Sequence, residues 1–154
     1  MIENLTEKDI SEAARVYNRG ILMQVPKGYS TLNETIQVLK NKKCFIYKIN
    51  NKIVGLVVFD YIISLKRKIK IDFICVLKLR KGIGRKLIKR LVDFSLKNKV
   101  QFIYSNVSSK DKRVMQFYEY CGFKKYGKYY ASKNFLLYRI RARPIDIKKR
   151  LKIN

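Results

Sequence analysis

Residues 79–91 read LRKGIGRKLIKRL, with two glycines, Gly82 and Gly84, at the point where a helical pattern begins. Apolar residues then recur at helical spacing, at Ile83, Leu87, Ile88, Leu91 and Phe94. The first N–H groups of a helix have no acceptor within the helix, and together with the helix dipole they favour anions, phosphate above all. The stretch is therefore a candidate phosphate site as well as a candidate structural loop. It lacks the G-K-[ST] ending of a Walker loop and the third glycine of a dinucleotide fingerprint.

The segments on either side of this loop have strand patterns. Residues 69–77, IKIDFICVL, alternate and then become wholly apolar, as a central strand does, and residues 101–107, QFIYSNV, form the next strand. Strand, helix and strand predict a parallel βαβ crossover. Four further strands are predicted as a hairpin at 43–49 and 52–63 and a final pair at 123–130 and 134–142. Asn50-Asn51 suits the tight turn of the first hairpin.

The amino-terminal part predicts a short strand at its start, followed by two helices. Thr6 or Asp9 caps the first helix, and the glycines and proline of residues 20–30 break it. Thr31, with Glu34 three residues further on, gives the second helix a capping-box pattern.

The complete order of elements indicates the fold class. Residues 114–121 have the apolar spacing of a short helix that ends at Gly122. The order is then β-α-α-β-β-β-α-β-α-β-β, which predicts an α/β fold with a mixed central sheet of about six or seven strands flanked by about four helices. We expect a single domain over residues 1–154, with residues 142–154 as a basic C-terminal tail.

Composition excludes several classes of function. The chain has no histidine, which rules out Ser-His or Cys-His catalysis and a His-ligated metal, and no metal is expected. Its three cysteines are far apart within apolar stretches and are predicted to be buried free thiols in a reducing cytoplasm. No apolar run approaches the roughly 20 residues of a membrane span, and the start is too polar for a signal peptide. We therefore expect a cytoplasmic protein that does not enter a membrane.

The net charge of +25 favours anionic partners, whether nucleic acid, an acidic protein or a charged cofactor. Lysine, isoleucine, asparagine and tyrosine are all abundant, which AT-rich coding also produces. The charge therefore has both a functional and a compositional explanation.

A second motif lies at residues 113–123, RVMQFYEYCGF, a helix that contains Phe117-Tyr118 and ends at Gly122. A glycine loop and helix after one strand, then a strand and this aromatic helix, resemble the GNAT superfamily of N-acetyltransferases. Its motifs read Q/R-x-x-G-x-G/A and N-x-x-A-x-x-F/L-Y-E-x-x-G-F. The resemblance covers the chain in element order and is strongest over residues 69–123. Leu79 and Asp111 stand where these motifs have Q/R and Asn.

The resemblance implies acetyl-CoA as the cofactor, held by two groups of residues. The glycine loop would present N–H groups and positive charge to the pyrophosphate, through Lys81, Gly82, Ile83, Gly84, Arg85 and Lys86. The strand end would separate from its neighbour, pair with the pantetheine arm and leave an N–H for the thioester oxygen, through Ile74, Cys75 and Val76. Asp111 would lie near the pyrophosphate.

The resemblance also implies catalytic roles. Tyr118 would be the general acid for the leaving thiolate. The acceptor amine must be neutral to attack, and an α-amino group, with a pKa of about 8, is closer to this than lysine at about 10.4. Asp72 is the first carboxylate candidate for the base and Glu119 the second, although either can equally be a surface acid in an ion pair. Water relays through tyrosines are a further route.

Two stretches are similar to loops of protein N-terminal acetyltransferases within the superfamily. QVPKGYS, residues 24–30, would bind peptide through Val25, Pro26 and Tyr29. KYYASKNFLLYRI would supply a loop between the last two strands in which Tyr129 or Tyr130 contacts the substrate backbone. Prolines and paired tyrosines are also common in loops without such a role.

We therefore predict an N-acetyltransferase that moves an acetyl group from acetyl-CoA to a primary amine of a protein or peptide, by direct attack in a ternary complex. One alternative is a GNAT enzyme that acetylates aminoacyl-tRNA or an RNA-associated protein, in keeping with the charge and a basic surface for nucleic acid or the ribosome. Another is a non-catalytic GNAT-like domain that binds nucleic acid or an acidic partner, motivated by Leu79 and Asp111.

Overall fold

The structure, a computed structural model, describes residues 1–24 and 30–153. The strands are β1 (Ile2–Asn4), β2 (Lys43–Ile49), β3 (Lys52–Ile62), β4 (Lys68–Val76), β5 (Phe102–Ser108), β6 (Lys124–Ser132) and β7 (Phe135–Ala142). The helices are α1 (Ile10–Gln24), α2 (Leu32–Lys40), α3 (Ile83–Lys97), α4 (Lys112–Tyr120) and α5 (Pro144–Arg150), with a 3-10 turn at Glu7–Asp9 before α1. The predicted order of elements is confirmed, with α5 in addition.

The strands of the described chain form one seven-stranded sheet in the order β1-β2-β3-β4-β5-β7-β6. β4 and β5 are parallel, with Lys68 opposite Phe102 and Ile71 opposite Ser105, and α3 connects them in the chain. The predicted βαβ crossover is therefore confirmed. The hairpins β2–β3 and β6–β7 are antiparallel, as are the pairs β1–β2 and β5–β7. The sheet is thus mixed, as the sequence predicts.

The chain packs as two compact units. The first comprises the described residues up to Asp60 together with Phe73–Arg90. Its core lies between helices α1 and α2 and the strands β2 and β3, and includes Ala13, Ala14, Leu39, Ile46 and Leu56, all at most 2% exposed. At the start of α2, Thr31 and Glu34 exchange both hydrogen bonds of the predicted capping box, at 2.8 and 3.2 Å.

The second unit comprises Tyr61–Asp72 and the described residues from Leu91 onward. Strand residues on one face of its sheet are buried, namely Ile69, Ile71, Ile103, Ser105, Val107, Ile140 and Ala142. Helix α4 packs on this face, since Tyr118 hydrogen-bonds Ser105. Helix α5 lies beside the end of α4, with Cβ of Arg150 3.4 Å from the position of a Cβ on Gly122. The opposite face is at least partly exposed along its length.

Gly20 lies inside α1, which continues to Gln24, so the predicted helix break at residue 20 is wrong. A Cβ at position 20 would lie 2.8 Å from Cβ of Cys75 and 3.0 Å from Cζ of Phe73. Glycine therefore lets α1 lie directly against β4. This contact outweighs the cost of glycine in a helix interior, which is about 1 kcal/mol relative to alanine.

Gly20→Ala is accordingly expected to destabilise the protein, although alanine is the better helix former. Forcing a methyl group into this contact should cost about 1–3 kcal/mol of unfolding free energy, measured by urea denaturation. Gly127→Ala is the matched control, because the nearest atom to a Cβ there is Cδ of Arg139 at 3.6 Å, an ordinary contact. Equal losses in the two variants would contradict the explanation.

Residues 142–154, predicted as a basic tail, contain helix α5. Pro144 lies in its first turn, and the Arg143 guanidinium donates to both carboxylate oxygens of Asp146 at 2.7 and 3.0 Å. Ile147 and Leu151, four residues apart, are buried at 0% and 2% exposure. The basic residues therefore lie on the outer side of a packed helix. The helical spacing of Ile147 and Leu151 indicates this helix, although the many basic residues suggested a tail.

Two further expectations concern the chain as a whole. Cys44, Cys75 and Cys121 are free and buried, as predicted. Burial raises the pKa of the Cys44 thiol to about 12. Within residues 1–24 and 30–153, no helix combines the length and the apolar character of a membrane span.

Candidate active site

The glycine loop of the first unit ends where the sequence predicts, with α3 beginning at Ile83. The carbonyl of Gly82 accepts the N–H of Lys86 at 3.0 Å, which makes Gly82 the residue that caps the helix. Gly82 has φ +68°, a left-handed conformation that glycine adopts without strain, and a Cβ there would meet nothing within 4 Å. The loop therefore leaves open space directly before the first turn of α3, where helical N–H groups lack helical acceptors.

The sequence on both sides of this opening is strongly basic. No acid occurs between Asp72 and Asp93, whereas the stretch holds seven basic residues: Lys78, Arg80, Lys81, Arg85, Lys86, Lys89 and Arg90. Lys81 and Arg85 are exposed. Lys86 is directed to β2, where its ammonium donates to the Tyr47 hydroxyl at 3.1 Å. An anion at the helix start would therefore lie in a strongly positive environment.

The end of β4 is the second predicted cofactor element. Ile74 and Cys75 are buried at 9% and 5% exposure, and Val76 is half-buried. Beyond the strand, the N–H of Leu77 donates to the carbonyl of Val54 at 2.8 Å. Burial raises the pKa of the Cys75 thiol to about 11, so this sulfur stays protonated and is a poor nucleophile. The predicted separation of this strand end from its neighbour stays a prediction.

Tyr118, the predicted general acid, is 2% exposed within the second unit. Its ring lies 5.0 Å from that of Phe123 and 5.6 Å from that of Phe117. The phenol hydrogen-bonds Ser105, whose own hydroxyl donates to the carbonyl of Ile71 at 2.9 Å. Since Ser105 has one proton to donate, Tyr118 is the donor in their bond. Burial raises the pKa of Tyr118, so the phenol keeps its proton throughout the physiological range.

The carboxylate candidates are both engaged with lysines. Asp72 pairs with Lys70 at 3.3 Å, and Glu119 lies 4.0 Å from Lys125. Asp72 follows Ile71, which is buried on the Ser105 face, and successive strand residues point to opposite faces. Asp72 and Tyr118 therefore lie on opposite faces of the β4–β5 strand pair and are not brought together. The contacts of Asp72 therefore favour a surface ion pair with Lys70 over the role of general base.

Asp111 has a local structural task. Its carboxylate accepts the N–H of Val114 at 3.0 Å, so it is the N-cap of α4. Aspartate is among the best capping residues, which accounts for an acid at a position where the family motif has asparagine. The predicted contact of Asp111 with the cofactor stays a prediction.

The predicted substrate residues fall into two groups. Val25, Pro26 and Tyr29 lie outside the described residues. Tyr129 and Tyr130 lie within β6, opposite Leu137 and Leu136, as the predicted strand at 123–130 requires, and not in the turn that joins β6 to β7. The strand continues through them because each has a cross-strand partner, and the turn to β7 comes at residues 133–134. Tyr130 is 68% exposed.

Two residues near these elements were missed by sequence reasoning. Gly55 in β3 would bring a Cβ 3.0 Å from Cγ2 of Ile83, so it gives the first turn of α3 room against the strand. Glycine inside a strand pattern is a signal for such close approach. Ser105 holds the Tyr118 phenol, and nothing in its sequence surroundings distinguishes it from other strand serines.

Comparison with known proteins identifies the family. Residues 11–142 match the model of the acetyltransferase (GNAT) domain. Similar solved structures include the ribosomal-protein-S18-alanine N-acetyltransferase of Escherichia coli, with 17% identity, a TM-score of 0.76 and coverage of 93% of this chain and 92% of that one. They include Ard1 of Thermoplasma volcanium, with 19% identity, a TM-score of 0.77 and coverage of 93% and 96%. Spermidine N-acetyltransferase of Vibrio cholerae, solved with CoA and spermine, has 19% identity, a TM-score of 0.78 and coverage of 96% of both chains. No curated protein sequence gave a significant match.

The family match spans most of the chain, and the order of strands and helices agrees with it. The protein is therefore an α/β acetyltransferase. It belongs to the GNAT acetyltransferase family, as its two motifs predict.

Proposed function

We propose that this acetyltransferase transfers the acetyl group of acetyl-CoA to a primary amine of a protein or peptide by direct attack in a ternary complex. The observation that carries the proposal is the start of α3, where Gly82 adopts φ +68° and leaves open space before the first helical turn. The sequence between Asp72 and Asp93, which contains this helix start, has seven basic residues and no acid.

These residues fit the diphosphate of coenzyme A. A helix start with a glycine cap accepts a phosphate through backbone N–H groups, and the neighbouring cations Lys81 and Arg85 offset its charge. Lys86 would contribute less than predicted, because its ammonium already donates to Tyr47. Bound acetyl-CoA supplies the activated thioester that a neutral amine attacks.

The chain's own side chains support direct attack. Cys75, the cysteine on the proposed cofactor strand, has a pKa raised to about 11 and is 5% exposed, so it is unsuited to carry the acetyl group as a thioester. Tyr118 would hold a proton at its phenol oxygen for the departing thiolate, in keeping with its raised pKa. With Asp72 paired to Lys70, the attacking amine would lose its proton to water or to a relay of tyrosines.

A protein or peptide acceptor is supported by the resemblance of residues 24–30 to a peptide-binding loop, with Val25, Pro26 and Tyr29 as proposed contacts. Tyr129 and Tyr130 would contribute from strand β6. Two of the similar structures are a ribosomal-protein-S18-alanine N-acetyltransferase and Ard1. An α-amino acceptor also needs the least help to become neutral, because its pKa is about 8.

Thiol release from acetyl-CoA, measured over a set of acceptors, tests the proposal. We expect turnover with peptides that carry a free N-terminus and little with the same peptides after N-terminal blocking, even when they contain lysine. For an α-amine, kcat/KM should rise with pH and level off above about 8, whereas a lysine acceptor would continue rising to about 10. Turnover with spermidine or aminoacyl-tRNA alone would contradict the acceptor class. Absence of acetyl-CoA binding would contradict the proposed acetyl-CoA-dependent activity.

A further inference from the structure

The face of the second unit opposite α4 is a partly exposed surface of aromatic and cationic side chains, here called the β5–β7 face. On β5 its residues are Phe102, Tyr104 and Asn106, and on β7 they are Arg139 and Arg141. These residues line a groove of about 370 Å³, which Lys68 of β4 and Tyr126 and Tyr129 of β6 complete. Strand alternation places the residues of β4, β5 and β7 on the side away from Ser105 and Tyr118, and Tyr126 and Tyr129 of β6 contact the arginines of that side.

The cations of this face carry uncompensated charge. Lys68, Arg139 and Arg141 have no carboxylate within ion-pair distance in the described part of the chain, and no acid lines the groove there. Asp72 lies further along the same side of β4 and is paired with Lys70. The groove is therefore complementary to an anion.

Among the described residues, Arg139 and Arg141 contact aromatic rings and not carboxylates. The Arg141 guanidinium lies 4.9 Å from the centre of the Phe102 ring and 4.7 Å from that of Tyr126. The Arg139 guanidinium lies 4.8 Å from the centre of the Tyr129 ring. These contacts order the guanidinium planes and the rings as a set of flat surfaces while leaving the positive charge available to a partner.

We infer that the β5–β7 face binds single-stranded nucleic acid. Bases stack on aromatic rings and guanidinium planes, and the phosphates between them require cations, so both components of this face would be used. An acidic peptide would use the cations alone and would not stack on the aromatic rings of the groove. An open groove on a sheet face suits a strand that crosses the surface. This binding does not depend on the proposed acetyl transfer, although Tyr129 is a proposed contact in both.

The test is fluorescence anisotropy with labelled oligouridylate and oligothymidylate of about 12 nucleotides, a length within the range of single-strand binding sites. Three phosphate contacts, from Lys68, Arg139 and Arg141, predict a slope of about −2 for log K against log salt. Arg139→Gln with Arg141→Gln should weaken binding at least about tenfold and reduce the slope by about 1.4. Oligouridylate and oligothymidylate differ in the 2′-hydroxyl, so their relative affinities assign the partner as RNA or DNA.

Two matched controls separate this face from the general charge of the protein. Arg113→Gln with Arg150→Gln removes the same charge from exposed positions on α4 and α5. Tyr126→Leu removes a ring of the groove and Tyr120→Leu a similarly exposed ring of α4, their exposures being 46% and 54%. Tyr126→Leu should weaken binding about fivefold or more, since stacking contributes about 1–3 kcal/mol per base. The Arg113 and Arg150 double variant and Tyr120→Leu should each change the affinity less than about twofold.

Three results would overturn the inference. Equal losses in the two double arginine variants would assign binding to net charge. Loss with the groove arginines but not with Tyr126→Leu would mean that no base stacks there. Polyglutamate could also compete as strongly as oligouridylate, with the same dependence on Arg139 and Arg141. The partner of this face would then be an acidic polypeptide and not nucleic acid.

Discussion

Gly84→Asp is expected to abolish coenzyme A binding while leaving the protein folded. Gly84 is the second residue of α3, where glycine costs about 1 kcal/mol relative to alanine and where an acid is favourable to the helix dipole. Folding should therefore be unchanged or improved. A carboxylate beside the diphosphate would instead repel it, at about 4 kcal/mol for charges 4 Å apart near a protein surface. Isothermal titration with coenzyme A should show affinity lowered about a hundredfold or more.

Gly84→Asn and Gly84→Ala are the controls for this variant. Asparagine has nearly the shape of aspartate without its charge, so it reports the effect of bulk alone, and alanine reports the smallest side chain. We expect aspartate to lower the affinity far more than asparagine does, with unfolding free energies of all three at or above that of the parent protein. Undiminished affinity of Gly84→Asp would mean that the diphosphate does not lie at this helix start.

Elements that depend on neighbouring residues were predictable from the sequence. Asn50 and Asn51 both have positive φ, at 49° and 58°, as a tight hairpin requires. Thr31 and Glu34 form both bonds of the capping box. Each of these features is decided by side chains within a few residues of the backbone they stabilise, so the sequence pattern contains the whole interaction. The βαβ crossover was likewise predicted from local sequence, because the spacing of apolar residues changes from a strand pattern to a helical pattern and back.

Features that depend on distant partners were not predictable. Gly20 reads as a helix breaker until Cys75, 55 positions later, is found against it. The candidate site likewise has one feature set by local residues and one set by distant residues. The helix start at Gly82 was predicted from local residues, whereas the bond from Tyr118 to Ser105 required the packing of α4 on the sheet.

Tyr118→Phe is expected to lower kcat at least about tenfold at saturating acetyl-CoA, the usual scale for the loss of a general acid. The phenol is buried and holds its proton, and phenylalanine preserves the ring contacts with Phe117 and Phe123 while removing only the hydroxyl. The lost bond to Ser105 should cost about 1 kcal/mol of unfolding free energy. Steady-state kinetics and urea denaturation measure the two effects separately.

Two comparisons distinguish acid catalysis from a structural role for Tyr118. Ser105→Ala removes the acceptor of the phenol proton and its own bond to Ile71 but leaves that proton in place, so kcat should stay within a few-fold of the parent value. The loss in Tyr118→Phe should also shrink with an acetyl thioester of a more acidic thiol, because a less basic thiolate departs with less need of a proton. A purely structural tyrosine would give similar kcat values for Tyr118→Phe and Ser105→Ala and no dependence on the leaving thiol.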